Sequence, residues 1–378
     1  MKQNTAWCAT ACVLAIFVQP ASVSLAQGEA IPQEDLQLLT SAAGRIKSDY
    51  VREVSEAALT KNCAVAAAAS ASVNPAPRLV GTADFTSIPG LLMEVKSSAA
   101  AGTTYRKVVL ACIEGMVGQL DRHSEFYSPE KARALPRGGG KDPAEATLLL
   151  PATELAWLEP NILHIRITEF GQGARRNLLQ EMEKFIGGSE RVPGALLLDL
   201  RGNAGGGLHD TMEVAGLFLA DGALIGSVRG QPLSGAFEFK ANERLRSPYR
   251  PELPETVVRA LRGAPMLVLV NGRTASGAEM VAAALQANGR ARLIGLPTFG
   301  SGSIQKTHRL SDDTTLKLTF GIWYTPKDRP LEDDPLLPDL PIEVVTPGTE
   351  ASGADRDLRE AVRYLSRPGA PILTGKRD

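Results

Sequence analysis

The sequence is poor in the residues that build metal centres. It holds four cysteines and four histidines in 378 residues, and Cys8 and Cys12 fall within the first 26. The rest show no zinc-ligand spacing, so no metal site is expected. Charge of one sign is also lacking. Forty-one basic residues against 42 acidic ones give a net charge of −1, which removes the electrostatic basis for nucleic-acid binding. Past the N-terminus no apolar run approaches the roughly 20 residues of a membrane-spanning helix. There is no internal repeat. The glycine turn at residues 205–207 lacks the lysine of a phosphate site and the trailing acidic residue of a dinucleotide site. No nucleotide or organic cofactor is therefore expected.

The single apolar stretch near the start, from Ala6 to Val18, follows Lys2 and precedes Ser24-Leu25-Ala26. Residues 1–26 read as a secretory signal peptide with a small-x-small cleavage site. The competing reading is an uncleaved anchor, but Gln19 and Pro20 cut the run short. The mature protein is expected in a periplasm or secreted, with no membrane span after signal cleavage. Only Cys63 and Cys112 then remain. They are either a disulfide, as an oxidising compartment allows, or two buried thiols.

Three further segments follow. Residues 27–134 read as a helical region: "LLTSAAGRIKSDYVREVSEAAL" has apolar residues at helical spacing, and Tyr105, Val109, Cys112, Met116 and Leu120 form one stripe. Residues 135–146, "LPRGGGKDPAEA", are a Gly/Pro linker. Residues 147–378 change to an α/β pattern. "NILHIRITEF", "GALLLDLR", "PMLVLVNG" and "ARLIG" read as strands between helices, which implies a mainly parallel layered sheet. "SIQKTHRLSDDTTLKLTFGIWYTP" reads as a hairpin turning at Asp312-Asp313, and "DRDLREAVRYLS" as a closing helix.

Ser276 stands where the strand "PMLVLVN" gives way to a helix. A hydroxyl there sees the positive end of the helix dipole and unpaired backbone N–H groups, a setting for a nucleophile and its oxyanion. The plain alternative is a capping box, Ser276-Gly-Ala-Glu279, in which the serine only starts the helix. A second feature bears on this choice. "LLLDLRGNAGGG" ends a buried strand in Gly205-Gly206-Gly207, and backbone amides that approach an oxyanion closely need glycine.

Together these stretches resemble the C-terminal processing peptidases, the S41 or tail-specific serine protease family. "GMVGQLDRHSEFYSP" is similar to the family's helix and Asp-Pro-His-Ser segment, with Arg122 replacing the proline. "LLLDLRGNAGGGLHDTMEVAGLFL" is similar to its Asp-Leu-Arg-x-Asn-x-Gly-Gly signature. "VLVNGRTASGAEMVAAALQANGRARLIGLPTFGSGSIQ" resembles the catalytic-serine segment, and "LKLTFGIWYTPKDRPLEDDPLLPDLPIEV" the terminal strand pair. The resemblance implies an α/β, S41 peptidase-like (ClpP/crotonase-like) layered core with an N-terminal helical region. It places Ser276 as nucleophile, Glu279 and Thr298 around the site, and Gln305 beside the base. It assigns the oxyanion hole to Gly205, Gly206, Gly207 and Gly277. The implied partner is a peptide or unfolded protein segment.

Two departures stand out. The family's general base is a lysine in Phe-Gly-Lys-Gly; here that position is Ser301. A serine hydroxyl cannot take the nucleophile's proton as a neutral lysine does. Lys306 is the nearest alternative, yet strand alternation turns Lys306 and His308 away while Gln305 faces the site. His209 reads as a surface residue, and His123 and His164 as structural. Secondly, the PDZ domain that family members usually carry has no room in the 135–146 linker. Three functions remain open: a weak peptidase, an inactive peptide- or protein-binding module, and an assembly factor with an envelope protein partner.

Overall fold

The computed structural model describes residues 30–74, 76, 84–134, 152–186, 191–233, 235–242, 255–311, 313–342 and 355–367. The expected signal peptide and the 135–146 linker lie outside the described residues. Four helices come first: α1 (Gln33–Asp49), α2 (Glu56–Ser70), α3 (Ile88–Ser98) and α4 (Tyr105–Val117). Ser55 and Thr104 cap α2 and α4, each side chain accepting the N–H three residues on. The stripe Tyr105, Val109, Cys112 and Met116 is buried. Helices α2 and α4 approach so closely that a methyl group on Gly115 would sit 2.6 Å from the Ala66 Cβ. Cys63 and Cys112 form a disulfide across this contact.

After β1 (Glu125–Tyr127) and α5 (Pro129–Ala134) the α/β part begins with β2 (Thr153–Leu158), β3 (Ile162–Ile167), α6 (Ala174–Ile186), β4 (Ala195–Asp199) and α7 (Leu208–Phe218). It continues with β5 (Leu224–Arg229), β6 (Phe237–Lys240), α8 (Glu255–Gly263), β7 (Met266–Val270), α9 (Gly277–Ala287) and β8 (Arg292–Gly295). The chain closes with β9 (Ser303–Arg309), β10 (Thr315–Tyr324), β11 (Leu340–Pro341) and α10 (Arg356–Leu365).

One sheet has the order β11-β8-β7-β4-β3-β2. Its neighbours are parallel except β2, which runs antiparallel to β3. Strands β4 and β7 are buried at every position, which is why both are unbroken apolar runs in the sequence. One face packs on α6, α7 and α9, the other on α10. The second sheet is antiparallel, β1-β10-β5-β6 with β9 also on β10. The sequence reading has no counterpart for β1, β2, β5, β6 or α8. Three of these are short, interrupted or exposed: β1 has three residues, β5 contains Gly226, and β6 exposes its first two residues.

The helical region is not set apart from the core. β1 pairs with β10, Phe126 opposite Leu316. Leu316 and Leu318 of β10 belong to the apolar cluster of α1–α4. The Val51 N–H donates to the Thr319 carbonyl at 2.8 Å. The adjacent parallel strands β4 and β7 end side by side. Their C-terminal turns, at 200–207 and 271–276, therefore meet where layered parallel sheets commonly bind ligands.

Candidate active site

The two turns are stitched together. Thr274 Oγ1 donates to the Leu200 carbonyl at 2.9 Å and accepts the Asn271 N–H at 3.0 Å. The Gly202 N–H donates to Asn271 Oδ1 at 3.1 Å, and the Ala275 N–H to the Asn203 carbonyl at 2.9 Å. Buried Asn203 donates to the Ile167 carbonyl and accepts the Gly205 N–H. At the mouth of α9, Ser276 has φ +52° and ψ −120°. An ordinary N-cap is extended, and positive φ at a non-glycine residue costs about 1–3 kcal/mol. Ser276 thus makes a sharp, strained strand-to-helix turn of the kind that presents a nucleophile. The Glu279 side of the capping box is present, its Oε2 accepting the Ser276 N–H at 3.0 Å.

Gly205 lies directly against this turn. A Cβ on it would stand 2.6 Å from the Gly277 nitrogen and 2.9 Å from the Ser276 Cβ. Gly277 in turn leaves no room for a side chain beside Thr211 Oγ1. The four glycine amides are not equivalent. The Gly205 N–H is spent on Asn203 Oδ1 at 2.7 Å, and the Gly207 N–H on the Phe170 carbonyl at 3.1 Å. Those two assignments to an oxyanion hole need correction, because a committed N–H has no hydrogen left to offer. Among the described residues, the Gly206 and Gly277 amides have no acceptor.

The loop carrying Ser301 faces α9 on one side and the 331–336 segment on the other. All six of its amides from Thr298 to Ser303 are bonded. Thr298 donates to the Leu336 carbonyl and Phe299 to the Thr274 carbonyl. Gly300 and Ser301 donate to Glu279 at 2.7 and 2.8 Å. Gly302 and Ser303 donate to Glu332 Oε2 at 3.0 and 2.7 Å. Thr298 Oγ1 donates to Glu279 and accepts the Leu336 N–H. Glu279 is fully buried, and burial pushes its carboxyl above the ordinary value against the pull of its four donors.

Residues 161–342 match the family model Peptidase family S41. The core of this chain belongs to that family. The S41 core is 32% identical over 197 residues to a carboxyl-terminal-processing protease of Picosynechococcus sp., covering 52% of this chain and 42% of that protein. It is 32% identical over 180 residues to the chloroplastic carboxyl-terminal-processing peptidase 1 of Arabidopsis thaliana, covering 47% and 32%. A Bacillus subtilis carboxy-terminal processing protease, CtpA, is 32% identical over 165 residues, covering 44% and 31%. The matched segment therefore spans less than half the length of each of these relatives. The fold is that of the photosystem II D1 C-terminal processing protease, with a TM-score of 0.59 at 17% identity over 91% of this chain and 100% of that one. A lipoprotein from Streptococcus agalactiae superposes with a TM-score of 0.56 at 17% identity over 89% and 98%.

Within the S41 core, Gln305 Nε2 donates to Ser303 Oγ at 2.9 Å. On the opposite face of β9, Lys306 and His308 point to Asp49 of α1, at 4.0 and 3.2 Å, as strand alternation requires. Burial lowers the His308 imidazole pKa, against the pull of Asp49. The other three histidines also face carboxylates: His123 lies 3.1 Å from Glu332, His164 3.5 Å from Asp199 and His209 3.9 Å from Glu213. Among the described residues, no lysine or histidine side chain is hydrogen-bonded to Ser276 or Ser301. Asp199 and Arg201 form a buried ion pair at 2.6 Å that holds the start of the glycine turn. Asn203 and Glu332 escape the sequence reading. Asn203 sits inside the glycine signature and was open to notice, whereas Glu332 carries no local signal.

Proposed function

We propose that this chain is an exported S41 serine peptidase-like protein that receives peptides or protein tails, with hydrolysis weak or lost because Ser301 stands where the family's base stands. Ser276 is the nucleophile, and the Gly206 and Gly277 amides receive the oxyanion. Gln305, Glu279 and Thr298 complete the surroundings. One observation carries the reading: Ser276, at positive φ on the mouth of α9, touches Gly205 of the glycine turn. Ser301 offers a hydroxyl without basicity, and general-base help is worth about 10²–10⁴ in rate. The Cys63–Cys112 disulfide suits an oxidising compartment and supports export. Among the described residues no helix is long and apolar enough to cross a membrane.

The second reading, a peptide- or protein-holding module that does not cut, is favoured by the absence, among the described residues, of any amine or imidazole bonded to Ser276. A serine-directed fluorophosphonate separates the two. Labelling that disappears in Ser276→Ala marks a live nucleophile; no labelling of the wild type favours the holding module.

A further inference from the structure

The loop that carries Ser301 is fixed by two carboxylates, and the resemblance assigns only one of them. Glu279 reaches it from α9. Glu332 reaches it from the other side, its Oε2 taking the Gly302 and Ser303 amides together. A Cβ on Gly302 would lie 2.7 Å from the Glu332 nitrogen, so the glycine is what lets the two strands of chain approach. The second oxygen of Glu332 lies 3.1 Å from His123 Nε2. His123 is itself placed by Asp121, whose Oδ1 accepts the His123 N–H at 2.7 Å and the Ser124 N–H at 3.0 Å. Thr319 Oγ1 of β10 donates to the same oxygen at 3.0 Å. Arg122 Nε donates to His123 Nε2 at 3.1 Å, and Arg122 Nη2 lies 3.6 Å from Glu332 and 2.7 Å from Asp333.

We propose that Glu332 is a positioning residue for the loop bearing Ser301, and that the adjacent pair Arg122 and His123, from the N-terminal helical region, orients its carboxylate. The helical region then acts on the site through these two side chains. A carboxylate accepting two adjacent amides fixes the peptide planes on either side of residue 302. Those planes set where the side chains of residues 301 and 303 point, and Ser303 Oγ in turn accepts from Gln305. Neither Glu332 nor His123 touches a substrate in this scheme. Both act through the loop.

The inference rests on Ser276 being the nucleophile, so the test has one arm that does not. Amide hydrogen exchange at Gly302 and Ser303 reads the clamp directly, and fluorophosphonate labelling of Ser276 reads the site. Glu332→Ala is expected to speed exchange at both amides at least tenfold, leave α9 unchanged, and slow labelling at least fivefold. Glu332→Gln keeps one oxygen for both amides and is expected to stay within twofold of wild type in both arms. Unchanged exchange in Glu332→Ala overturns the proposal. So does faster exchange with wild-type labelling, or a Glu332→Gln variant as impaired as the alanine. If Glu332→Ala does not fold, the double variant Arg122→Ala, His123→Ala carries the test, with exchange at least threefold faster expected and no change overturning it. A wild-type protein that does not label defeats the nucleophile reading, and the clamp is then decided by exchange alone.

Discussion

Replacing Gly205 by alanine tests whether the glycine turn and the Ser276 turn meet as described. The added methyl has two effects. Gly205 has φ +99°, where a side chain costs about 1–2 kcal/mol. The Cβ also meets the Gly277 nitrogen at 2.6 Å and the Ser276 Cβ at 2.9 Å. Ordinary contact begins at 3.4 Å, so one turn must retreat by several tenths of an ångström. Overpacking of this kind costs about 1–3 kcal/mol, for a total of about 2–5 kcal/mol. Gly202 supplies the internal control. It lies in the same turn at φ +73° with nothing within 4 Å of its would-be Cβ. Gly202→Ala should therefore cost only the conformational share, about 1–2 kcal/mol. Urea unfolding of both variants gives the difference, which isolates the collision from the backbone effect. Equal losses, within about 0.5 kcal/mol of each other, would refute the close approach of Gly205 to Ser276 and with it the shared site.

Ser301→Lys should raise cleavage of an unstructured substrate by about 10²–10⁴ if only the base is missing; a variant with no gain shows that more than the base is absent. Double replacement of Cys63 and Cys112 by alanine should lower stability by about 4 kcal/mol, from the loop entropy released by a bridge spanning 49 residues. A loss below about 1 kcal/mol in denaturant unfolding would contradict that bridge. Burial alone would raise the Asp199 carboxyl, but the Arg201 and His164 bonds overcome it and hold it well below its ordinary value. Its stabilisation is then fully present above about pH 4 and fades as pH falls toward the depressed folded value. Asp199→Asn should flatten the pH dependence of unfolding free energy in that acid range; an unchanged slope would be inconsistent with the ion pair.

What the sequence made legible was local. Strands β4 and β7, helix α9, the β9–β10 hairpin and the glycine turn each carry their pattern within a few residues. Alternation alone sufficed to send Lys306 to the far face of β9. The capping box was legible only by half: Glu279 does accept the Ser276 N–H, but no local rule announces φ +52° at the serine. Which glycine amides are spent could not be read either. The acceptor for Gly207 is Phe170, more than thirty residues earlier, brought there by the bridge between Phe170 and Gly206. Glu332 was invisible for the same reason, since it bonds residues 29 and 30 positions away and faces His123 at a separation of 209. Strands β1 and β6 are too short or too exposed to leave a periodic trace, and β5 is interrupted by Gly226.

The six bonded amides from Thr298 to Ser303 separate the shape of that loop from the identity of its side chain at 301. Two main-chain carbonyls and the carboxylates of Glu279 and Glu332 receive these amides, so the strap is held without calling on the side chain at 301. Under the function proposed above, replacing that one group would alter what the cleft does to a bound chain at little cost to the frame around it.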